Sequence, residues 1–393
     1  ELAEMVEALG GTIGTGAGWD ETTARLGVMT NQAEVALKIF REVILRPTFG
    51  VREVERLRAE MLDELRVKME EPGFLAKAAM GRLIFGDGPY GHLLGGTPGS
   101  VARIRREDMM KLHATYFRPD NAALIFVGSV TKAEGFEWGE KFFGDWKNPR
   151  GSIPVVRMGE VPVKPRVVAI DLPAAGQAAV VVGKVGIARS ADDYFGGVLA
   201  SAVLGGGYSA RLNAEIRVKR GLTYGASSEL TARHWGGGFL GWAQTKNSAG
   251  VEVAGLMRVE MEKLGVELVP EVELGPRVST LLGEYGRSLE TNDGFATRLA
   301  GWVGVEVPLT MLNRFGLTVR DVSAEAIKVF AKTHLRGEET SVVIAGRAES
   351  FRGDLLKMFP EAEIISQGEL DLDLVSLRAP TRSRTKGEEL KRR

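Results

Sequence analysis

Two polar side chains near the middle of the chain have the types and the spacing to hold a peptide. Arg217 lies near the end of a predicted helix, and Tyr224 lies seven residues later at the start of a predicted strand. A guanidinium group carries a planar set of N–H donors and a phenol carries an O–H donor, so both can bind a peptide carbonyl oxygen. The structural alternative is that Arg217 is one of several basic residues closing a helix and that Tyr224 is an ordinary strand aromatic.

The pair lies in a segment with a distinctive order of glycines, helix and strand. Residues 204–229 have the sequence LGGGYSARLNAEIRVKRGLTYGASSE, in which three glycines precede a helical run and a glycine turn opens a strand-like run. This segment resembles the signature of the second domain of the M16 metallopeptidases, the family of insulinase, pitrilysin and the mitochondrial processing peptidase. The resemblance implies that Arg217 and Tyr224 reach across a cleft to the substrate and help to stabilise the developing oxyanion.

A second segment resembles the first domain of the same family. It covers residues 86–128, with the sequence GDGPYGHLLGGTPGSVARIRREDMMKLHATYFRPDNAALIFVG. Together the resemblances extend from residue 1 to about residue 359 and are most like the bacterial two-domain M16B type. They imply an α+β fold of two homologous domains, each a mostly antiparallel sheet covered by helices, which face each other as a clamshell.

Zinc is the cofactor that the resemblance implies. Active members bind it through an HxxEH motif, whose two histidines share one helix face, and through a later glutamate. The chain contains no HxxEH motif, and the position that matches the later glutamate is Glu64. Counting back from Glu64 places the HxxEH helix before residue 1. The alternative for Glu64 is the solvated face of a charged helix, and Leu57 stands where active relatives carry another glutamate.

The histidines do not supply a second set of metal ligands. No two of them have i, i+4 spacing and none belongs to an HxxE pattern, so we expect surface, loop or core positions for His92, His113, His234 and His334. One carboxylate leaves too few ligands for a stable tetrahedral site. We therefore expect this chain alone to bind zinc no better than weakly.

A glycine-rich run near the start of the chain suggests a second peptide contact. Gly14, Thr15 and Gly16 lie in a predicted edge strand, where glycine lets another backbone approach closely and a peptide can add as a further strand. The run matches neither the dinucleotide-binding nor the phosphate-loop pattern, and no serine hydrolase elbow is present in the chain. A plain hairpin is the alternative.

The elements around these residues are repeated within the chain. Residues 104–128 align without a gap on residues 322–346 at an offset of 218, with shared helix and strand patterns. Residues 12–15 likewise align on residues 223–226, and each group opens a predicted strand pair. A period near 200 residues indicates duplicated domains rather than a solenoid. The pattern also predicts a buried strand over residues 122–127.

Proline-rich residues near the middle predict the domain boundaries. We expect a first domain over 1–148 without its N-terminal strand and zinc helix, a linker over 149–165, a second domain over 166–360 and a C-terminal tail over 361–393.

Composition excludes several functions. The chain has 393 residues, with 51 basic and 51 acidic side chains, so no net charge favours nucleic acid or a membrane surface. No apolar run approaches the ~18 residues of a membrane helix. Cysteine is absent, which excludes disulfides and thiolate chemistry and is compatible with export to a bacterial periplasm, the compartment that we favour over the cytoplasm.

Three functions agree with these patterns. The one we favour is a non-catalytic subunit that binds an extended peptide or unfolded protein in a two-domain cleft. Such a subunit would form a homo- or heterodimer with an HxxEH-bearing M16 subunit and supply Arg217 and Tyr224 to it. The alternatives are an active zinc metalloendopeptidase whose HxxEH helix lies upstream of residue 1, and a purely structural subunit like the core proteins of respiratory complexes.

Overall fold

The structure is a computed structural model that describes residues 2–156 and 164–380. The α-helices are, in chain order, α1 (Leu2–Glu7), α2 (Ala33–Leu45), α3 (Val51–Lys68), α4 (Pro72–Phe85), α5 (Pro98–Arg103), α6 (Arg106–Tyr116), α7 (Lys132–Phe143), α8 (Tyr194–Gly205), α9 (Gly250–Val266), α10 (Glu271–Ser288), α11 (Asn292–Gly304), α12 (Met311–Arg320), α13 (Ala324–His334) and α14 (Arg352–Met358). The strands are β1 (Thr12–Ala17), β2 (Thr22–Gly27), β3 (Val167–Asp171), β4 (Gln177–Val185), β5 (Thr223–Ala232), β6 (Gly237–Lys246), β7 (Ser341–Gly346) and β8 (Glu363–Ser366).

The second half of the chain is built on a six-stranded sheet in the order β5-β6-β4-β7-β3-β8. Its pairs are antiparallel except that β3 runs parallel to β7 and β8. Successive side chains of β4 alternate between the faces, so Val180 and Val182 pack under α8, α9 and α13 while Val181 packs on the other face. Burial of both faces explains why β4 and β7 are almost continuous apolar runs. The α+β fold class is confirmed.

The opposite face of this sheet is covered by a helix from the first half of the chain. Leu75, Met80 and Leu83 of α4 are fully buried and belong to one core with Val181 and Val343. Apolar residues occur nearly all around α4, as expected for a helix that is enclosed by the fold. The two halves therefore share a core.

The first half contains only a two-stranded sheet within residues 2–156. β1 and β2 pair in a regular antiparallel register, and a small core under them includes Leu37 and Phe40 of α2 and Phe142 of α7. The predicted strand over residues 122–127 is wrong, because these residues form no strand. Their counterpart β7 is paired on both sides by β3 and β4, and residues 2–156 contain no equivalents of those strands. Backbone without a partner strand cannot form a ladder.

The internal duplication is visible in the element boundaries. Both ends of α6 map onto both ends of α13 at the offset of 218. Near the start of the chain, α1 maps at an offset of 211 onto a π-helix, Asn213–Val218. Gly10 and Gly221, related by the same offset, both have a positive φ, 66° and 64°.

A polar and aromatic cluster joins the hairpins of the two halves. The Tyr90 hydroxyl donates to a carboxylate oxygen of Asp20 in the β1–β2 turn, and the other oxygen accepts from the backbone N–H of His234 at 3.1 Å. The Arg233 guanidinium lies 4.3 Å from the centre of the Trp19 ring. Burial raises the pKa of Tyr90 and lowers the pKa of Arg233. We call these five residues the hairpin cluster.

The last described residues pack against the sheet of the second half. Residues 361–380, which the sequence places in the tail, include β8 and the buried Leu372 and Leu377. Residues 157–163 of the predicted linker and residues 381–393 of the predicted tail lie outside the described residues. No helix in residues 2–156 or 164–380 has the length and apolar character needed to cross a membrane.

Candidate functional site

Arg217 lies on the π-helix, one turn before the chain enters β5. The backbone N–H of Lys219 donates to the carbonyl oxygen of Ala214 at 3.0 Å, a five-residue step in place of the usual four. Such π-helical widening is rare in proteins as a whole. Where it occurs, it often lies at a functional site. The Arg217 side chain is half-buried.

The neighbouring charges leave Arg217 without an acidic partner. Lys219 and Arg220 both bind the Glu215 carboxylate, at 2.7 and 3.0 Å, and these bonds lower the pKa of Glu215. In the described part of the chain we find no carboxylate within ion-pair distance of Arg217. Its guanidinium lies over the Tyr208 ring instead, 4.9 Å from the centroid. Of these three cations, Arg217 is the one available to an incoming acceptor.

Tyr224 is among the most exposed aromatic residues of the described chain, with 85% of its surface accessible. It lies in a β-bulge, because β5 advances from Thr223 to Ala226 while β6 advances only from Thr245 to Ala243. Tyr224 and Gly225 therefore stand opposite a single residue. A bulge bends its strand and redirects a side chain, and bulges are common beside active sites.

The Thr223 side chain holds the bulge closed. Its hydroxyl donates to the carbonyl oxygen of Gln244 at 2.6 Å and accepts from the backbone N–H of Gly225 at 3.1 Å. These bonds replace the ladder bonds that the extra residue interrupts. The direction of Tyr224 is thus fixed by its neighbours rather than by packing of its own ring.

The predicted peptide-binding strand lies in the first half. Gly14, Thr15 and Gly16 are exposed, and β1 pairs with β2 on one side only. The other edge of β1 has no strand beside it among the described residues. An unpaired edge presents backbone N–H and C=O groups that an extended peptide can bind.

Glu64, the predicted zinc ligand, lies on the charged surface of α3. Its carboxylate binds Lys68 Nζ at 2.6 Å, and 63% of its side chain is accessible. Among residues 2–156 and 164–380 no three His, Cys, Asp or Glu side chains converge in a way that could hold a metal ion. The described donor set does not fit zinc, and we derive no chemical step through a metal.

The histidines make separate contacts within the fold. His113 Nε2 is bonded to the carbonyl oxygen of Ile44 at 2.8 Å, and His334 Nε2 to Asp193 at 2.8 Å. His92 packs against the Trp19 ring, and its pKa is lowered by burial and by the charge of Arg82.

Comparison with known proteins finds M16 peptidases and their homologues. The family model for the peptidase M16 inactive domain matches residues 103–274. An uncharacterized zinc protease of Mycobacterium leprae is 23% identical over 343 residues, which are 85% of this chain and 76% of that protein. The solved structure of a peptidase M16 inactive domain from Pseudomonas fluorescens superposes with a TM-score of 0.81 at 26% identity, covering 88% of this chain and 82% of that one. The chain is therefore similar to M16 peptidases in sequence and in fold over most of its length.

One relative is named a non-peptidase homolog. The non-peptidase homolog YmxG of Helicobacter pylori is 22% identical over 348 residues, which are 85% of this chain and 77% of that protein. The predicted resemblance to the M16 family is thus confirmed, and the names of relatives support zinc as a property of the family.

Sequence reasoning missed two residues that the M16 fold brings to Arg217 and Tyr224. Tyr208 lies beneath the Arg217 guanidinium, and Asn213 bonds to the segments on either side. Tyr208 directly follows three glycines in the signature segment, and this position could have indicated it from the sequence. In the structure its side chain is exposed. Nothing in the sequence distinguishes Asn213, because its role depends on contacts with two separate segments.

Proposed function

We propose that this M16-like protein binds extended peptides and acts as the non-catalytic subunit of a two-chain assembly. The observation that carries the proposal is Arg217, a cation without an acidic partner in the described chain, placed seven residues before the exposed Tyr224. A paired arginine would have to break an ion pair to bind a substrate, whereas Arg217 would only exchange water for a peptide oxygen.

The names of similar proteins support the non-catalytic role. The matched family model is described as an inactive domain. The Helicobacter pylori relative is named a non-peptidase homolog. In the proposed assembly an HxxEH-bearing subunit supplies the hydrolytic chemistry.

Each binding element has a separate task in this proposal. The edge of β1, at Gly14, Thr15 and Gly16, pairs with the peptide backbone as an added strand. Arg217 and Tyr224 donate hydrogen bonds to a peptide carbonyl, and the charge of Arg217 favours the oxygen as it gains negative charge. The proposed ligand is an unfolded or extended peptide rather than a folded protein surface.

A second candidate function is that of an active zinc endopeptidase. It is favoured by the name zinc protease that relatives such as the Mycobacterium leprae protein carry. The two candidates differ in whether peptide hydrolysis requires a second chain.

Reconstitution tests the proposal. The chain alone is assayed against a library of unfolded peptides, and then together with an HxxEH-bearing M16 subunit of the same organism. We expect hydrolysis only in the mixture, and Arg217→Ala or Tyr224→Phe in this chain should lower turnover by ~10²- to 10³-fold without preventing assembly, because a transition-state contact is lost.

Arg220→Ala is the matched control, since Arg220 lies on the same segment but is already paired with Glu215. It should leave turnover within a few-fold of the unsubstituted assembly. Hydrolysis by the chain alone would favour the second candidate. Unchanged turnover in both Arg217→Ala and Tyr224→Phe would reduce the pair to a structural role.

A further inference from the structure

The site is spread over three segments that are separate in sequence. A glycine loop carries Tyr208, the π-helix carries Arg217, and the bulge of β5 carries Tyr224. All three side chains reach solvent to some degree, and the two tyrosines are 66% and 85% exposed. Exposed side chains gain little orientation from packing, so something beneath them must set their relative positions.

One buried side chain bonds to both segments that flank the π-helix. Asn213 is only 7% exposed. Its Nδ2 donates to the carbonyl oxygen of Gly207 at 3.0 Å, and its Oδ1 accepts from the backbone N–H of Ala226 at 2.9 Å. The partners fix the orientation of the amide, because a carbonyl only accepts and an N–H only donates.

The two bonds of Asn213 hold the backbone next to Tyr208 and next to the bulge that carries Tyr224. Gly207 immediately precedes Tyr208, and Ala226 is the first residue at which β5 resumes its pairing after the bulge. A second buried side chain also bonds to the glycine loop that carries Tyr208. Arg277 Nη2 donates to Ser209 Oγ at 2.9 Å. Asn213 therefore lies where the loop, the π-helix and the bulge meet.

The duplicated half has the same strand pair with apolar residues at the matching positions. At the offset of 211, Leu2 takes the place of Asn213, Val6 that of Arg217 and Ile13 that of Tyr224. There β1 and β2 pair without a bulge. The bulge therefore belongs to the half that carries Arg217 and Tyr224, and of the two matching positions only Asn213 carries an amide.

We propose that Asn213 is the positioning residue of this site. It holds Tyr208, Arg217 and Tyr224 in one arrangement, so that the two donors act on the same peptide. It is buried and acts through its neighbours rather than by touching the peptide. The inference rests on the proposed peptide-binding function, which it deepens.

Two substitutions separate the two bonds. Asn213→Asp keeps an oxygen to accept from Ala226 but turns a carboxylate oxygen towards the Gly207 carbonyl, which repels it. Asn213→Leu has a similar size and removes both bonds, leaving two buried backbone groups unpaired. Hydrogen exchange of the full chain should rise in residues 206–209 for Asn213→Asp, and at Ala226 as well for Asn213→Leu.

Peptide affinity provides the functional measurement. The probe is the fluorescein-labelled member of the unfolded-peptide library that the unsubstituted chain binds most tightly, followed by fluorescence anisotropy. We expect Asn213→Asp to weaken binding by about tenfold to a hundredfold, since the loss of one hydrogen bond to a charged group has an effect of about that size. In an Arg217→Ala, Tyr224→Phe background the same substitution should have little further effect, because it acts through those side chains.

The outcomes distinguish the two proposals. If Arg217→Ala weakens binding but Asn213→Asp does not, the positioning role is overturned while the peptide-binding function stands. An equal loss from Asn213→Asp in both backgrounds would show a general structural effect and would also overturn the inference. A chain that binds no library peptide, or that binds equally well without Arg217 and Tyr224, overturns the proposed function and the inference with it. Asn213→Asp is the decisive variant if Asn213→Leu does not fold.

Discussion

At the scale of single residues, the behaviour of Arg217 depends on how its neighbours are paired. Three cations lie within four positions, and Glu215 binds two of them. The third is directed over the Tyr208 ring, whose negative face attracts a cation. The sequence predicted Arg217 and Tyr224 by resemblance, but it did not show which cation was free. That information required the pairing geometry.

The contact with Tyr208 leads to a prediction for that residue. Tyr208→Leu removes the aromatic face while keeping an apolar side chain, and we expect peptide affinity to fall about twofold to fivefold, the equivalent of about 0.5–1 kcal/mol for an exposed cation–π contact. Tyr208→Phe is the control, because it keeps the ring and should bind as the unsubstituted chain does. Anisotropy titration of the two variants measures the difference, and equal losses in both would assign the effect to the hydroxyl group.

At the scale of elements, the bulge distinguishes β5 from β1, its counterpart in the first half. β1 and β5 occupy equivalent places in the duplication, yet only β5 contains the extra residue. Thr223 closes the bulge from within the same strand. A second threonine, Thr231, makes a similar pair of bonds with Gly238 near the other end of β5.

These two threonines allow a matched test. Thr223→Val and Thr231→Val each remove one hydroxyl while keeping a β-branched side chain, and each should lower the free energy of unfolding by about 1 kcal/mol in urea titrations. We expect only Thr223→Val also to weaken peptide binding, because only it loosens Tyr224. A similar loss of affinity in both variants would mean that strand stability, and not the bulge, controls binding.

Local patterns predicted the helices well and the strands unevenly. The ends of α6 and α13 follow from helical periodicity and recur in both halves at one offset. Residues 122–127 have the same apolar pattern as β7 but no partner strands in the described chain, and pairing is a property of distant segments. The packing of α4 on the second sheet could not be foreseen for the same reason. The apolar sequence of a helix predicts that the helix will be buried, but it does not predict which element will cover it.

At the scale of the whole molecule, the halves are joined by the shared core and by the hairpin cluster. Glu21 lies beside that cluster, and a Cβ at Gly304 of α11 would be 3.3 Å from its carboxylate oxygen. Burial, together with the charge of Asp20, raises the pKa of Glu21 above its ordinary value. The junction between the halves thus contains a carboxyl group whose charge is unfavourable in the folded state.

This junction predicts a pH-dependent effect on stability. Folding raises the pKa of this carboxyl group, so its protonated form favours the folded state. This contribution to the free energy of unfolding is fully present when the pH is below the pKa of the unfolded state. It is lost as the pH rises through the pKa of the folded state. We expect Glu21→Gln to raise Tm relative to the unsubstituted chain at pH 7.5 and to leave it nearly unchanged at pH 4. Glu107→Gln, at an exposed glutamate of α6, is the control. A shift of the same size at both pH values would contradict the prediction.

The position of α4 also has a consequence for biosynthesis. The helix emerges from the ribosome long before β7, on which it packs. At about 5–20 residues per second, synthesis of the roughly 260 residues between them takes about 10–50 s. During that interval the sheet that covers Leu75, Met80 and Leu83 is incomplete, because it lacks β7. The nascent chain therefore passes through a stage in which this apolar helix has only part of the surface that buries it.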